Sequence, residues 1–128
     1  MNDIRLKEIP FVFEGRTYIL RCNMNVLADV QAAYGGDLSP ALSGRGTMRS
    51  VMEFLAAMMN DYADEQGWFN PDAVTGVPIL QASFTARKLG RNLRREDIPM
   101  AKILALVTAA ITPIKKETSV PASGNPGN

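Results

Sequence analysis

The 128-residue chain carries 14 Lys and Arg against 13 Asp and Glu, and 46% of it is hydrophobic, which fits one globular domain with its own core. A net charge of +1 excludes bulk electrostatic attraction to nucleic acid or to an anionic membrane. The absence of histidine and the presence of a single cysteine exclude the common zinc sites, the Ser-His-Asp triad and an intramolecular disulfide.

The first ten residues, MNDIRLKEIP, are polar and mixed in charge, unlike a secretory signal. The lone thiol, Cys22, points to a reducing compartment. No run approaches the ~20 apolar residues that a membrane-spanning helix needs.

A hairpin is predicted over residues 9–21. Phe11, Val12 and Phe13 precede Glu14-Gly15, and the β-prone run Thr17 to Leu20 follows. A two-residue loop at Glu14-Gly15 sets Phe11 opposite Tyr18 and Ile9 opposite Leu20. Val12 and Ile19 then lie on the other face, so both faces are partly apolar and call for cover.

A helix is predicted over about 24–34, with Asn23 as its N-cap and Leu27, Val30 and Tyr34 at helical spacing. Gly35-Gly36 ends it, and residues 37–47 read as a connector. A phosphate-cradling reading of Ser43-Gly44-Arg45-Gly46 lacks the Lys-Ser/Thr ending of a P-loop.

The strongest periodicity predicts a helix over about 48–64, through Met48, Val51, Met52, Leu55, Met59 and Tyr62, widened by Phe54 and Met58. Thr47 can cap it, with Ser50 and Glu53 as an alternative capping box. Its acidic end opposes the helix dipole and is expected to fray near Asp64 and Glu65.

After a connector containing Trp68-Phe69, Pro78 suits the first turn of a third helix over about 78–89, ended by Gly90. A fourth is predicted over about 98–112, capped by Asp97, with Pro99 in its first turn. So little of it is polar that it is expected to be the most buried element.

The expected architecture is α+β and mostly helical. An N-terminal β-hairpin packs against about four α-helices in a single domain, 1–114, followed by a disordered tail, 115–128.

No catalytic, cofactor-binding or metal site is expected. The carboxylates of Asp61, Asp64 and Glu65 fall at a solvated helix end, and neither G-x-G-x-x-G nor G-x-S-x-G occurs. The chain therefore reads as non-enzymatic.

Three features suit partner binding, each with a plain alternative. Arg87, Lys88, Arg91, Arg94 and Arg95 form either a surface for an acidic partner or a solvated bend. The apolar helix that follows them is unlike a base-reading helix and counts against DNA. Met52, Met58 and Met59 offer either an adaptable apolar surface or core filling. Trp68 and Phe69 either anchor an interface or fold back over the core.

The opening hairpin and capped helix carry Phe13, Gly15, Tyr18, Leu20, Asn23, Leu27, Tyr34 and Gly35. With the helices that follow, this pattern resembles the tail assembly chaperones of long-tailed phages and prophages over residues 9–112. Gln31 and Ala32 stand where that family often has an acidic residue.

The resemblance implies a small, non-enzymatic protein of the host cytoplasm, absent from the mature virion. Such a protein holds the helical tape-measure protein soluble while tail-tube protein assembles around it. It also implies a longer form made by ribosomal slippage, for which Lys115-Lys116 is a candidate site. The partner-binding candidates are Met52, Met58, Met59, Trp68, Phe69, Arg87, Arg91, Arg94 and Arg95. Self-association is left open. The rival readings are a minor tail or head-tail completion protein of the virion, and a small nucleic-acid-binding regulator using the arginines.

Overall fold

The computed structural model describes residues 7–43 and 47–112. Strands β1 (Ile9–Phe13) and β2 (Arg16–Leu20) form a two-stranded antiparallel sheet. Its register sets Phe11 opposite Tyr18 and Ile9 opposite Leu20, as predicted from the loop length. Glu14 and Gly15 both take positive φ, 49° and 81°, as a type I′ turn requires. Only one face of the hairpin is covered. Ile9, Phe11, Phe13, Tyr18 and Leu20 are buried, whereas Pro10, Val12 and Thr17 are exposed and Ile19 is half-buried.

Helix α1 (Met24–Ala33) begins where Asn23 Oδ1 accepts the Val26 N–H at 3.0 Å. It ends in a Schellman pair, in which the N–H of Gly36 donates to Gln31 O and that of Gly35 to Ala32 O. A short helix, α2 (Ser39–Ser43), stands in the predicted connector. The buried Ser50 hydroxyl ties it down by donating to Ala41 O at 2.9 Å. Residues 44–46, and with them the phosphate-cradling reading, lie outside the described residues.

Helix α3 (Met48–Glu65) is the centre of the fold, and α1, β2, helix α4 (Ala86–Asn92) and helix α5 (Met100–Ile111) all pack against it. Thr47, and not the later box, caps α3 by accepting the Ser50 N–H. The predicted fraying at its acidic end is not observed. Trp68 N–H donates to Ala63 O and Gly67 N–H to Asp64 O, again a Schellman closure. Arg21 meets Glu65 at 3.3 Å, and Asp61 accepts from the side chains of Asn23 and Asn25. Local partners thus offset the unfavourable dipole term.

The helix predicted over 78–89 is corrected to α4, residues 86–92. Residues 78–85 contain no helix: the Leu80 N–H donates to Trp68 O at 2.9 Å, and Asn60 takes the backbone of Phe84. Its Nδ2 donates to Phe84 O at 2.9 Å and its Oδ1 accepts the Phe84 N–H at 2.7 Å. That pairing uses the groups a helix would need, and it seats the Phe84 ring edge-on to Phe13 and Tyr18, both at 5.7 Å. Thr85 next caps α4 by accepting the Lys88 N–H. Gly90 lies inside α4 and does not end it.

The predicted start of the last helix also shifts. Asp97 closes a 3-10 turn (Arg95–Asp97) by accepting the Arg94 N–H at 2.8 Å, and Pro99 is the N-cap of α5. Nor is α5 the most buried element. Only Ile103, Leu106 and Val107 are buried there, against ten residues of α3. Alanine exposes so little apolar area that an alanine-rich face needs no cover. Among the described residues no helix is long and apolar enough to cross a membrane. The tail, 115–128, lies outside the described residues.

Replacing Asn60 with Ala leaves both Phe84 backbone groups without this partner. Two lost, partly buried hydrogen bonds predict destabilisation by about 1–3 kcal/mol. The check is urea unfolding; an unchanged midpoint contradicts the role given to Asn60.

Candidate functional site

One face of α3 combines the buried Ala56 and Ala57 with the more exposed Arg49, Glu53 and Asn60. Along that face a cleft of about 960 Å³ runs between α1, α3 and the segment leading into α4. Its floor is α3 from Met48 to Asn60, ~18 Å at 1.5 Å rise per residue. One wall is the second half of α1, with Asp29, Ala32 and Ala33; the other is residues 83–87 and Gly90. The segment into α4 and the later part of α4 touch different levels of the floor. Phe84 is bonded to Asn60, whereas a Cβ on Gly90 would face the Met52 methyl at 3.8 Å.

The lining is notable for short side chains. Ala56 and Ala57 form the middle of the floor, with Ala32, Ala33, Ala86 and Gly90 on the walls. Gly90 carries a specific signal. Its backbone is helical, without positive φ, and a Cβ there meets nothing closer than ordinary van der Waals contact. Glycine within a helix is unfavourable, and neither the turn geometry nor the packing of the fold requires one at this position.

Charge is distributed unevenly around the cleft. On the floor Arg49 and Glu53 pair with each other at 3.0 Å. Arg87 on the α4 wall, and Arg91 one turn further along, form no ion pair among the described residues. On the α1 wall the Asp29 carboxyl titrates above its ordinary range, chiefly from partial burial and then from the nearby Asp61 and Asp64. One wall thus carries unneutralised positive charge and the other unneutralised negative charge.

Of the candidates predicted from sequence, the methionines are placed inside. Met58 and Met59 are 1% and 0% exposed, and Met52 shows the cleft only a sliver at 6%. As the structure stands, Met58 and Met59 are core-filling side chains with no surface to lend; Met48, assigned to the same inward stripe, is 39% exposed at one end of the cleft. Trp68 and Phe69 fold back over the core, half-buried. Trp68 stacks edge-on against Tyr18 and Tyr62 at 5.4 and 5.6 Å. The arginines are exposed, and Arg94 alone meets a carboxylate, that of Glu96 at 3.5 Å. Arg87 lines the cleft; Arg94 and Arg95 lie beyond it.

The alanines and Gly90 were not singled out by sequence reasoning, since their chemistry carries no signature. Gly90 was read as a helix end, and its place inside α4 follows only from the shift of that helix to residues 86–92. Cys22 is half-buried, and burial pushes its thiol up to about 11, so it stays protonated near neutral pH. Among the described residues no group of three or more His, Cys, Asp or Glu side chains converges as a metal site. Comparison with family models, curated proteins and solved structures gives no match to this chain.

Two predictions follow from the lining. Gly90→Ala adds a methyl in ordinary contact with Met52 and a better helix former, and is expected to stabilise the protein by about 0.5–1 kcal/mol; a loss of stability in urea unfolding would mean that the fold itself needs this glycine. For Asp29, the folded-state pKa exceeds the unfolded one, so stability falls as pH rises through the raised value. Asp29→Asn should therefore raise the urea midpoint at pH 7, and the gain should vanish below the ordinary carboxylate pKa of about 3.9.

Proposed function

We propose that this chain is a phage tail assembly chaperone that holds helical segments of a tape-measure protein in the α1–α3–α4 cleft while tail-tube protein assembles. The reading combines the resemblance of residues 9–112 to that family with one structural observation. A cleft about three helical turns long, floored by alanine beside an otherwise unexplained glycine, suits the close seating of a helix.

The role is non-enzymatic: the chain lends a surface and makes or breaks no bond. Its place of action is the host cytoplasm, and it leaves before the virion is complete. The exposed arginines then serve the rim of a protein interface, where charge steers encounter.

Co-expression with the tape-measure protein of the same phage or prophage tests this. The expected outcome is transfer of the tape-measure protein to the soluble fraction in complex with the chain, and purified particles free of the chain by mass spectrometry. An insoluble tape-measure protein with no complex overturns the proposal. So does a fixed copy number of the chain in particles, which is the signature of a structural tail component.

A further inference from the structure

The cleft has two walls of opposite sign, and this polarity bears on which helix it accepts and which way round. The floor cannot discriminate by charge, because Arg49 and Glu53 neutralise each other there. The Asn23 and Asn25 side chains bind Asp61 near the end of α3, so α1 runs back along α3 from that end. Phe84 at Asn60 and Gly90 at Met52 show that α4 runs back the same way. Asp29, one turn beyond Asn25, and Arg87, one turn before Arg91, therefore flank the middle of the floor from opposite sides.

Resting on the reading of the cleft as a helix-binding site, we infer that it takes an amphipathic helix of about three turns with small residues on its seat, carboxylates on one flank and ammonium or guanidinium groups on the other, and that this charge pairing fixes the direction of the bound helix. The carboxylate flank faces Arg87, with Arg91 one turn further along α4; the cationic flank faces Asp29. A helix turned end for end keeps its apolar face on the floor but exchanges its flanks. One direction then pairs both walls, and the other opposes like charges on both. Gly90 lines the same wall as Arg87. Without a Cβ there, the arginine wall can approach the carboxylate flank.

The experiment uses the full chain and designed helices, so that its outcome is independent of the tape-measure protein. One peptide carries an alanine seat with Glu on one flank and Lys on the other. A second exchanges the flanks, and a third replaces both with Gln. At low ionic strength the charged peptides should bind about five- to tenfold tighter than the Gln peptide. The ratio should approach one at 1 M salt, where the screening length is about 3 Å.

A spin label at the peptide N-terminus should broaden the Met48 methyl for one charged peptide and the Ala86 methyl for the other. Arg87→Glu with Arg91→Glu should remove the preference over Gln, and Gly90→Leu should weaken all three peptides about tenfold or more. Equal affinities for charged and Gln peptides, equal broadening at both ends, or no binding overturns the inference. A tape-measure protein still solubilised under any of those results leaves the chaperone reading standing, which separates the two failures.

Discussion

The side-chain amide of Asn60 decides where the second half of the molecule goes. By pairing both backbone groups of Phe84, it does for an irregular segment what a neighbouring strand does for a strand. The consequences run in two directions. Toward the hairpin, the fixed Phe84 ring completes the aromatic cluster with Phe13 and Tyr18, so the sheet of two strands has the cover that a lone hairpin lacks. Toward the surface, the chain leaves Phe84 already extended, Thr85 caps the next turn, and α4 starts at a defined distance from α3. That distance is the width of the cleft. A packing contact alone would leave it adjustable; two hydrogen bonds of 2.7 and 2.9 Å to one residue do not.

The rest of the core serves to make α3 immobile. Its large side chains, Phe54, Leu55, Met58 and Met59, are turned toward the buried interior, while Ala56, Ala57 and Asn60 lie along the cleft. Each fully buried Leu, Met or Phe contributes about 1.5–3 kcal/mol, so this division puts the stabilising mass on one face and leaves the other thin. Flexible thioethers inside the core suit the irregular space between hairpin, α1 and α5. Met58 and Met59 are buried, which is the core-filling alternative that the sequence left open beside an adaptable surface.

What was legible in the sequence was local. The hairpin register follows from two residues with positive φ, the start of α1 from Asn23, its end from Gly35-Gly36, and α3 from a long apolar period. Each signal is complete within a few residues of chain. The larger misreadings concern what surrounds a segment more than the segment itself. Pro78 and the following apolar residues look like a helix start until Asn60, 24 positions away, takes the Phe84 backbone. An alanine-rich α5 looks like a core helix until its exposed face proves to need no cover. The acidic end of α3 looks frayed until Arg21, Asn23 and Asn25 are brought to it by the hairpin and α1. The cleft was least legible of all, because it is built from the absence of side chains.

That absence is itself a physical statement about the molecule. A chain gains about 0.8 kcal/mol for every methylene it buries, yet alanines, themselves buried, form the middle of the floor. A helical Gly90 whose Cβ would make only ordinary contact with the Met52 methyl marks a similar unused gain on the wall. The two walls, moreover, hold opposite charges apart instead of joining them: burial and then the nearby Asp61 and Asp64 raise the Asp29 pKa, and Arg87 and Arg91 form no ion pair among the described residues. The exposed arginines are solvated, whereas burial and the neighbouring Asp61 and Asp64 disfavour the Asp29 carboxylate. A bound helix that brings a cation to Asp29 and a carboxylate to Arg87 would answer both charges, and this is the energetic argument offered for the proposed role.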